Sequence, residues 1–136
     1  LTGQSQAGKT TLSQTFNFPC IRLDGDEMRH SISKGLGFSL NDRLENNYRI
    51  ARLAHVLSCQ AYIIVSVIAP TEKIRSEISK ICNPTWVYVH RTLPKREGHI
   101  YEEPSNIFTV NSDELRPRQS AMSVLAYLQT NGFFVK

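Results

Sequence analysis

The amino-acid sequence predicts an α/β fold of three layers, a mainly parallel sheet flanked by helices, and three observations carry that expectation. Short apolar runs alternate with stretches of helical periodicity along the whole chain, the pattern of repeated strand–helix units. The run YIIVSVI at 62–68 is rich in Ile and Val with no polar alternation, as expected of a strand covered on both faces. The segment GQSQAGKT at 3–10 fills every fixed position of the phosphate-loop pattern G-x-x-x-x-G-K-[ST]. Together they specify a P-loop NTPase arrangement, in which ligands sit at the carboxyl ends of the strands.

The elements follow in order. Leu1-Thr2 leads directly into the phosphate loop and reads as the end of a first strand whose beginning lies outside the sequence. Residues 10–16 form a short helix, 20–23 a brief strand ending in acidic residues, and 27–34 a helix stopped at Gly35. A long helix covers about 42–58, where Ile50, Leu53, Ala54 and Leu57 recur at the spacing of one buried face. After the strand at 62–68 and Pro70, Ile74, Ile78 and Ile81 lie on one helical stripe; 86–89 is another strand. A polar stretch punctuated by Pro and Gly runs over about 90–104, where a lid is expected. A last helix spans 117–130, with Ala121, Val124, Leu125 and Leu128 inward and Gly132 as its stop.

At 136 residues the chain is read as one domain, 1–136. An apolar share of 40% and a charged share of 21% are those of a folded chain, so disorder is not the default. The net charge of +4 suits anionic small molecules but is too small to argue for a nucleic-acid partner. The longest apolar run, 61–69, is too short to span a bilayer, so no membrane partner is expected. Cys20, Cys59 and Cys82 are scattered and show no metal-like spacing, which reads as reduced thiols in a cytoplasmic protein.

The phosphate loop is the strongest chemical signal. Gly3 and Gly8 let backbone N–H groups converge on phosphate oxygens, together with those of Ser5, Ala7 and Thr11 at the opening of the helix. Lys9 is positioned to reach the β- and γ-phosphates of ATP, and Thr10 offers a hydroxyl to Mg²⁺. A Gly-containing turn before an ordinary helix would rarely satisfy the whole pattern.

Downstream, Asp24-Gly25-Asp26-Glu27-Met28-Arg29 follows a strand. One carboxylate there can accept a proton from an attacking hydroxyl or help hold Mg²⁺, and Arg29 can bind an acceptor anion. An isolated Asp-Gly-Asp turn is as often a helix N-cap, so proximity to the phosphate loop decides the reading. Arg43 and Asn46, three apart, share a helix face and can grip one ligand, whereas Glu45 and Arg49 fit a plain surface ion pair. Phe38 is either core or a stacking surface for a purine.

These motifs, G-x-S-x-A-G-K-T at 3–10, L-D-G-D-x-x-R at 23–29, L-G-F-S-x-x-D-R-x-E-N at 36–46, I-x-P ahead of an Arg at 68–75 and Y-E-x-P at 101–104, occur in an order and spacing that resembles adenylylsulfate kinase. The resemblance implies transfer of the ATP γ-phosphate to the ribose 3′-hydroxyl of adenylyl sulfate, with Mg²⁺, and a possible homodimer. It implies Asp26 as the base, with Lys9 and Asp24 also catalytic and Asp24 joining Thr10 at the metal. Arg29, Phe38, Arg43 and Asn46 would contact the acceptor nucleotide, and Ile68 and Ala69 would line its pocket.

Three departures stand out: Gln6 where the family usually has Gly, Ala69 where it usually has Ser, and a lid contracted to 91–99 that carries Lys95 and Arg96. They keep open a related kinase acting on another nucleotide or small hydroxyl compound, such as a cytidine diphosphoramidate-type acceptor, and a nucleotide-binding module without catalysis. A GTPase is disfavoured because no N-K-x-D segment is present to read guanine.

Overall fold

In the computed structural model, residues 1–134 are described, and they form the expected α/β arrangement. Helix α1 (Lys9–Thr15) leaves the phosphate loop and is followed by β1 (Ile21–Asp24), the short α2 (Gly25–Met28) and the long α3 (Leu40–Leu57). Then come β2 (Ile63–Ser66), α4 (Glu72–Cys82), β3 (Val87–His90), β4 (Phe108–Asn111) and α5 (Pro117–Thr130).

All strand pairing among the described residues is parallel. β1 pairs with β2 in the register Leu23↔Val65, and β3 with β4 in the register Val89↔Val110. Thr2 joins the two pairs, bridging Val67 on one side and Tyr88 on the other. Its N–H donates to the Val87 carbonyl at 2.9 Å, and its own carbonyl accepts from Val89 at 2.8 Å. The phosphate loop therefore begins at the centre of the sheet, at the carboxyl ends of the strands.

Two apolar cores cover the faces. On one, α1 and α5 pack Leu12, Phe16, Ala121, Val124 and Leu128 against Val87, Val89 and Val110. On the other, α3 and α4 bring Ile50, Ala51, Ala54, Ile74 and Ile78 onto Leu23 and Val67. Each fully buried Ile or Val of this kind, such as Ile50, Val89, Val110 and Val124, stabilises the fold by about 1.5–3 kcal/mol. An apolar cleft of about 410 Å³ lies between β2 and β3 at the opposite, amino-terminal ends of the strands, lined by Leu1, Ile63, Val87, Leu128 and Phe133.

Three expectations need correction. The helix expected at 27–34 is only the four residues Gly25–Met28. Beyond it Arg29, His30 and Ser31 make i→i−3 turns and Ser33 bonds back to Met28, because no apolar stripe in 29–35 draws a longer helix onto the core. β2 is shorter than 62–68 and its cover on the two faces is partial: Ile64 packs against one core and Ile63 and Val65 against the other, all half-buried, while Tyr62 is exposed beside the cleft. β4, FTVN, lies in a stretch that sequence periodicity left without an element. Four residues are too few for alternation to register, and their pairing with β3 supplies the strand's stability. By contrast, α5 coincides with its expected span, and Gly132 has the left-handed φ of +74° expected of a stop.

Candidate functional site

The site is built where the loop after Thr2 meets the turn after β1. Gly3 is required by space: a Cβ there would stand 2.5 Å from the Val89 carbonyl oxygen. Gly8 is required by conformation, its φ of +104° being the left-handed geometry that starts α1 with exposed N–H groups. Ala7 is fully buried beneath the loop, whereas Ser5, Thr10 and Thr11 are exposed at its mouth.

Lys9 is 9% exposed and curls back over the loop, its Nζ donating to the carbonyls of Gly3 at 2.9 Å and Gln4 at 2.7 Å. Burial lowers its pKa to about 8, against the opposing pull of Asp26 and Asp24, whose negative charges favour the ammonium form. The lysine charge thus sits in the field of the two carboxylates that the sequence singles out.

Asp24 is engaged on both oxygens. Oδ1 accepts from the Asp26 backbone N–H at 2.9 Å, the N-cap of α2, and Oδ2 accepts from the Thr10 hydroxyl at 2.6 Å. The N-cap reading of the Asp-Gly-Asp turn is realised in Asp24, whose other oxygen meets the phosphate loop at Thr10. Asp26 is exposed, and no hydrogen bond from the described residues reaches its carboxylate. Thr10 and Asp24 offer hard oxygen donors suited to Mg²⁺, an ion that keeps several waters and substrate oxygens rather than a full protein cage.

Two of the acceptor-side residues, Asn46 and Arg29, are held at this turn. Asn46 is 4% exposed and donates from Nδ2 to the Gly25 carbonyl at 3.3 Å; its Oδ1 finds no partner among the described residues. Arg29 donates to the Gly37 carbonyl at 2.9 Å and lies 4.6 Å over the ring of Phe38, which is 71% exposed. Phe38 is thus not core. Arg43 is exposed on α3, so it and the buried Asn46 do not present their side chains alike. Ile68 is exposed and Ala69 fully buried just beyond β2, with Ala69 at a left-handed φ of +44°. Glu45 and Arg49 form the expected surface pair at 3.0 Å.

Several residues escaped the sequence reading. A second cleft, of about 240 Å³, opens beside Gly8 and Thr11 and is lined by Arg91, Ser112, Leu115 and Pro117. Arg91 follows β3 and Ser112 follows β4, so the strand-end rule identifies both once the strands are known. Arg91 donates to the Gln6 carbonyl at 3.2 Å and Arg96 to the Gln6 Oε1 at 3.0 Å, so the 91–99 segment touches the phosphate loop. Thr92 holds Asp113 through backbone and hydroxyl, contacts that depress the Asp113 pKa.

A central phosphate loop, an acidic turn two strands away beyond β2, and a helix-flanked parallel sheet define a P-loop NTPase-type domain. The sequence profile of adenylylsulphate kinase matches residues 1–99, and the chain belongs to that family. An adenylyl-sulfate kinase of Gloeothece citriformis is 38% identical over 102 residues, covering 68% of this chain and 58% of the relative. One of Chloroflexus aurantiacus is 44% identical over 85 residues, covering 57% and 46%. The chain thus spans about half the length of these curated relatives. In fold it is similar to an APS kinase of Mycobacterium tuberculosis solved with AMPPNP and APS, with a TM-score of 0.82 at 24% identity, covering 94% of each chain. No helix among the described residues is long and apolar enough to cross a membrane.

Proposed function

We propose that this chain transfers the γ-phosphate of ATP to the ribose 3′-hydroxyl of adenylyl sulfate. The observation that carries the reading is the 2.6 Å contact of Thr10 with Asp24, which brings the phosphate loop and the acidic turn to one point while the Asp26 carboxylate stays free. Family membership supports the choice of acceptor.

The loop N–H groups and Lys9 bind the triphosphate, Lys9 exchanging its contacts with Gly3 and Gln4 for phosphate oxygens. Mg²⁺ held by Thr10 and Asp24 would neutralise charge on the phosphates. Asp26 takes the proton of the 3′-hydroxyl as its oxygen bonds to the γ-phosphorus and the bond to the ADP oxygen breaks. Arg29, Phe38, Arg43 and Asn46 hold the acceptor nucleotide, the Arg29–Phe38 stack opening to admit its base. The 90–104 segment serves as the lid, with Arg91 and Arg96 at Gln6 excluding water from the phosphates. The protein acts in the cytoplasm on small nucleotides and pairs as a homodimer.

The test is ATP consumption by the purified protein with adenylyl sulfate, with AMP, with a cytidine nucleotide and with no acceptor, beside an Asp26→Ala variant. Turnover confined to adenylyl sulfate and lost in the variant is expected. Nucleotide binding without that turnover would overturn the acceptor assignment and favour a related kinase.

A further inference from the structure

Arg75 is the most deeply buried cation outside the phosphate loop among the described residues, 2% exposed, and the reaction outlined above gives it no part. A buried guanidinium is costly unless its donors are met, and its one acidic neighbour, Glu72 at 3.4 Å, is largely in solvent. Its planar fork instead bridges two backbone carbonyls: one terminal nitrogen donates to Ala69 at 2.8 Å and the other to Glu102 at 2.9 Å. Its Nε finds no partner among the described residues.

Both carbonyls belong to the acceptor surroundings. Ala69 is the left-handed residue at the end of the wall that contains exposed Ile68. Glu102 lies at the return of the 91–107 segment, where its N–H donates to Pro70 at 2.7 Å and its carboxylate accepts from the Glu72 N–H at 3.1 Å. The guanidinium also lies 5.7 Å from the ring of Tyr101. Thr2 commits its one hydroxyl hydrogen to the Ile68 carbonyl at 2.7 Å, so the Tyr101 hydroxyl is the donor in their 2.9 Å contact. Burial pushes the Tyr101 hydroxyl pKa up, which keeps that donor protonated.

We infer that Arg75 is a positioning residue that fixes the spacing between the acceptor wall at Ile68–Ala69 and the lid's return at Tyr101–Glu102, and thereby sets acceptor fit independently of ATP binding. Apart from Glu72 on its own helix, every side-chain contact described for it lies on the acceptor and lid side; none reaches the loop's phosphate-facing groups. Lysine cannot replace it, because one ammonium on a flexible stem lacks the fork that spans two carbonyls. The kinetic part of this inference rests on the proposed acceptor; the anchoring part does not.

The experiment compares wild type with Arg75→Lys and, as a milder variant that keeps the ring, Tyr101→Phe. Hydrogen exchange needs no substrate: peptides over 99–104 should exchange at least tenfold faster in R75K, with those over 9–15 unchanged. At a temperature well below the thermal midpoint, the KM for adenylyl sulfate should rise tenfold or more in R75K and severalfold in Y101F. The Kd for ATP should stay within twofold in both. Native exchange over 99–104 in folded R75K, an unchanged acceptor KM, or equal weakening of both substrates overturns the inference. Should R75K not fold, the same outcomes in Y101F decide. A wild type that binds ATP and never uses adenylyl sulfate overturns the proposed acceptor alone, since the exchange readout still judges the anchor.

Discussion

Thr10 donates its hydroxyl hydrogen to Asp24 across 2.6 Å, a single short contact between the first turn of α1 and the acidic turn after β1. A hydrogen bond to an ionised acceptor is among the stronger neutral–charged contacts available to a protein. Here it also sets two hard oxygen donors side by side where a nucleotide's phosphates would lie. Asp24 holds the opening of α2 with its other oxygen, so one side chain links the proposed metal site to the placement of Asp26.

The cap and the proposed metal role of Asp24 separate in substitution. Asp24→Asn keeps an N-capping oxygen, so its stability is expected within about 0.5 kcal/mol of wild type, whereas Asp24→Ala loses the cap and about 1 kcal/mol. Both lose the carboxylate charge, and both should need more Mg²⁺ for half-maximal turnover. Thermal midpoints beside Mg²⁺ titrations of kcat check this; an unchanged Mg²⁺ dependence in D24N would remove Asp24 from the metal.

Asp26 is exposed and packs against nothing that its loss would uncover. Asp26→Asn should therefore leave stability within about 0.5 kcal/mol. Loss of a general base costs about 10²–10⁴ in kcat, with little change in the KM of either substrate. Steady-state kinetics and a melting curve on the same preparation measure both halves, and a kcat within a few fold of wild type contradicts the role.

How much of this was legible in the sequence follows from the range of the forces involved. The phosphate loop is local chemistry: Gly3 is fixed by the close approach of Val89 and Gly8 by the left-handed start of α1, and a contiguous pattern encodes both. α3, α4 and α5 were legible because each carries a buried stripe several turns long. β4 was not, because FTVN is a strand only through its pairing with β3, and Ser112 at its end stayed hidden with it. The acceptor motifs named residues without their partnerships. Nothing in the spacing tells that Phe38 lies under Arg29, that Asn46 bonds to Gly25, or that Arg75 bridges Ala69 and Glu102.

Lys9 carries a pH signature. Its folded pKa of about 8 lies below the ordinary lysine value of 10.5, so between these values the unfolded chain holds more protons than the folded one. The free protein should therefore gain stability from this group as pH rises from about 8 to 10.5, the charged form being penalised by burial below that window. Bound phosphate reverses the balance by stabilising the ammonium, so ATP binding near pH 8.5 should take up protons, and affinity should fall as pH rises through about 8. Calorimetry in buffers of different ionisation enthalpy reads the uptake directly. Lys9→Met should raise the thermal midpoint of the free protein at pH 7 and abolish the further rise that ATP gives wild type.

Gln6 joins backbone strain and lid contact in one residue. Its φ of +67° costs a side-chain-bearing residue about 1 kcal/mol, while its Oε1 accepts from Arg96 at 3.0 Å and its carbonyl from Arg91 at 3.2 Å. Gln6→Gly relieves the strain but adds freedom to the unfolded chain, so the thermal midpoint should stay level or rise by a few degrees. Gln6→Ala keeps the strain and should not rise. Neither variant can engage Arg96 through a side chain, and both keep the carbonyl that Arg91 reaches. Nucleotide release should then quicken severalfold in both, to the same extent as in Arg96→Ala. The double variant Q6A/R96A should release no faster than either single one, because the two substitutions remove the same contact. Stopped-flow release of a fluorescent ATP analogue measures all four. Additive effects in the double variant would show that Arg96 acts on the nucleotide directly rather than through Gln6.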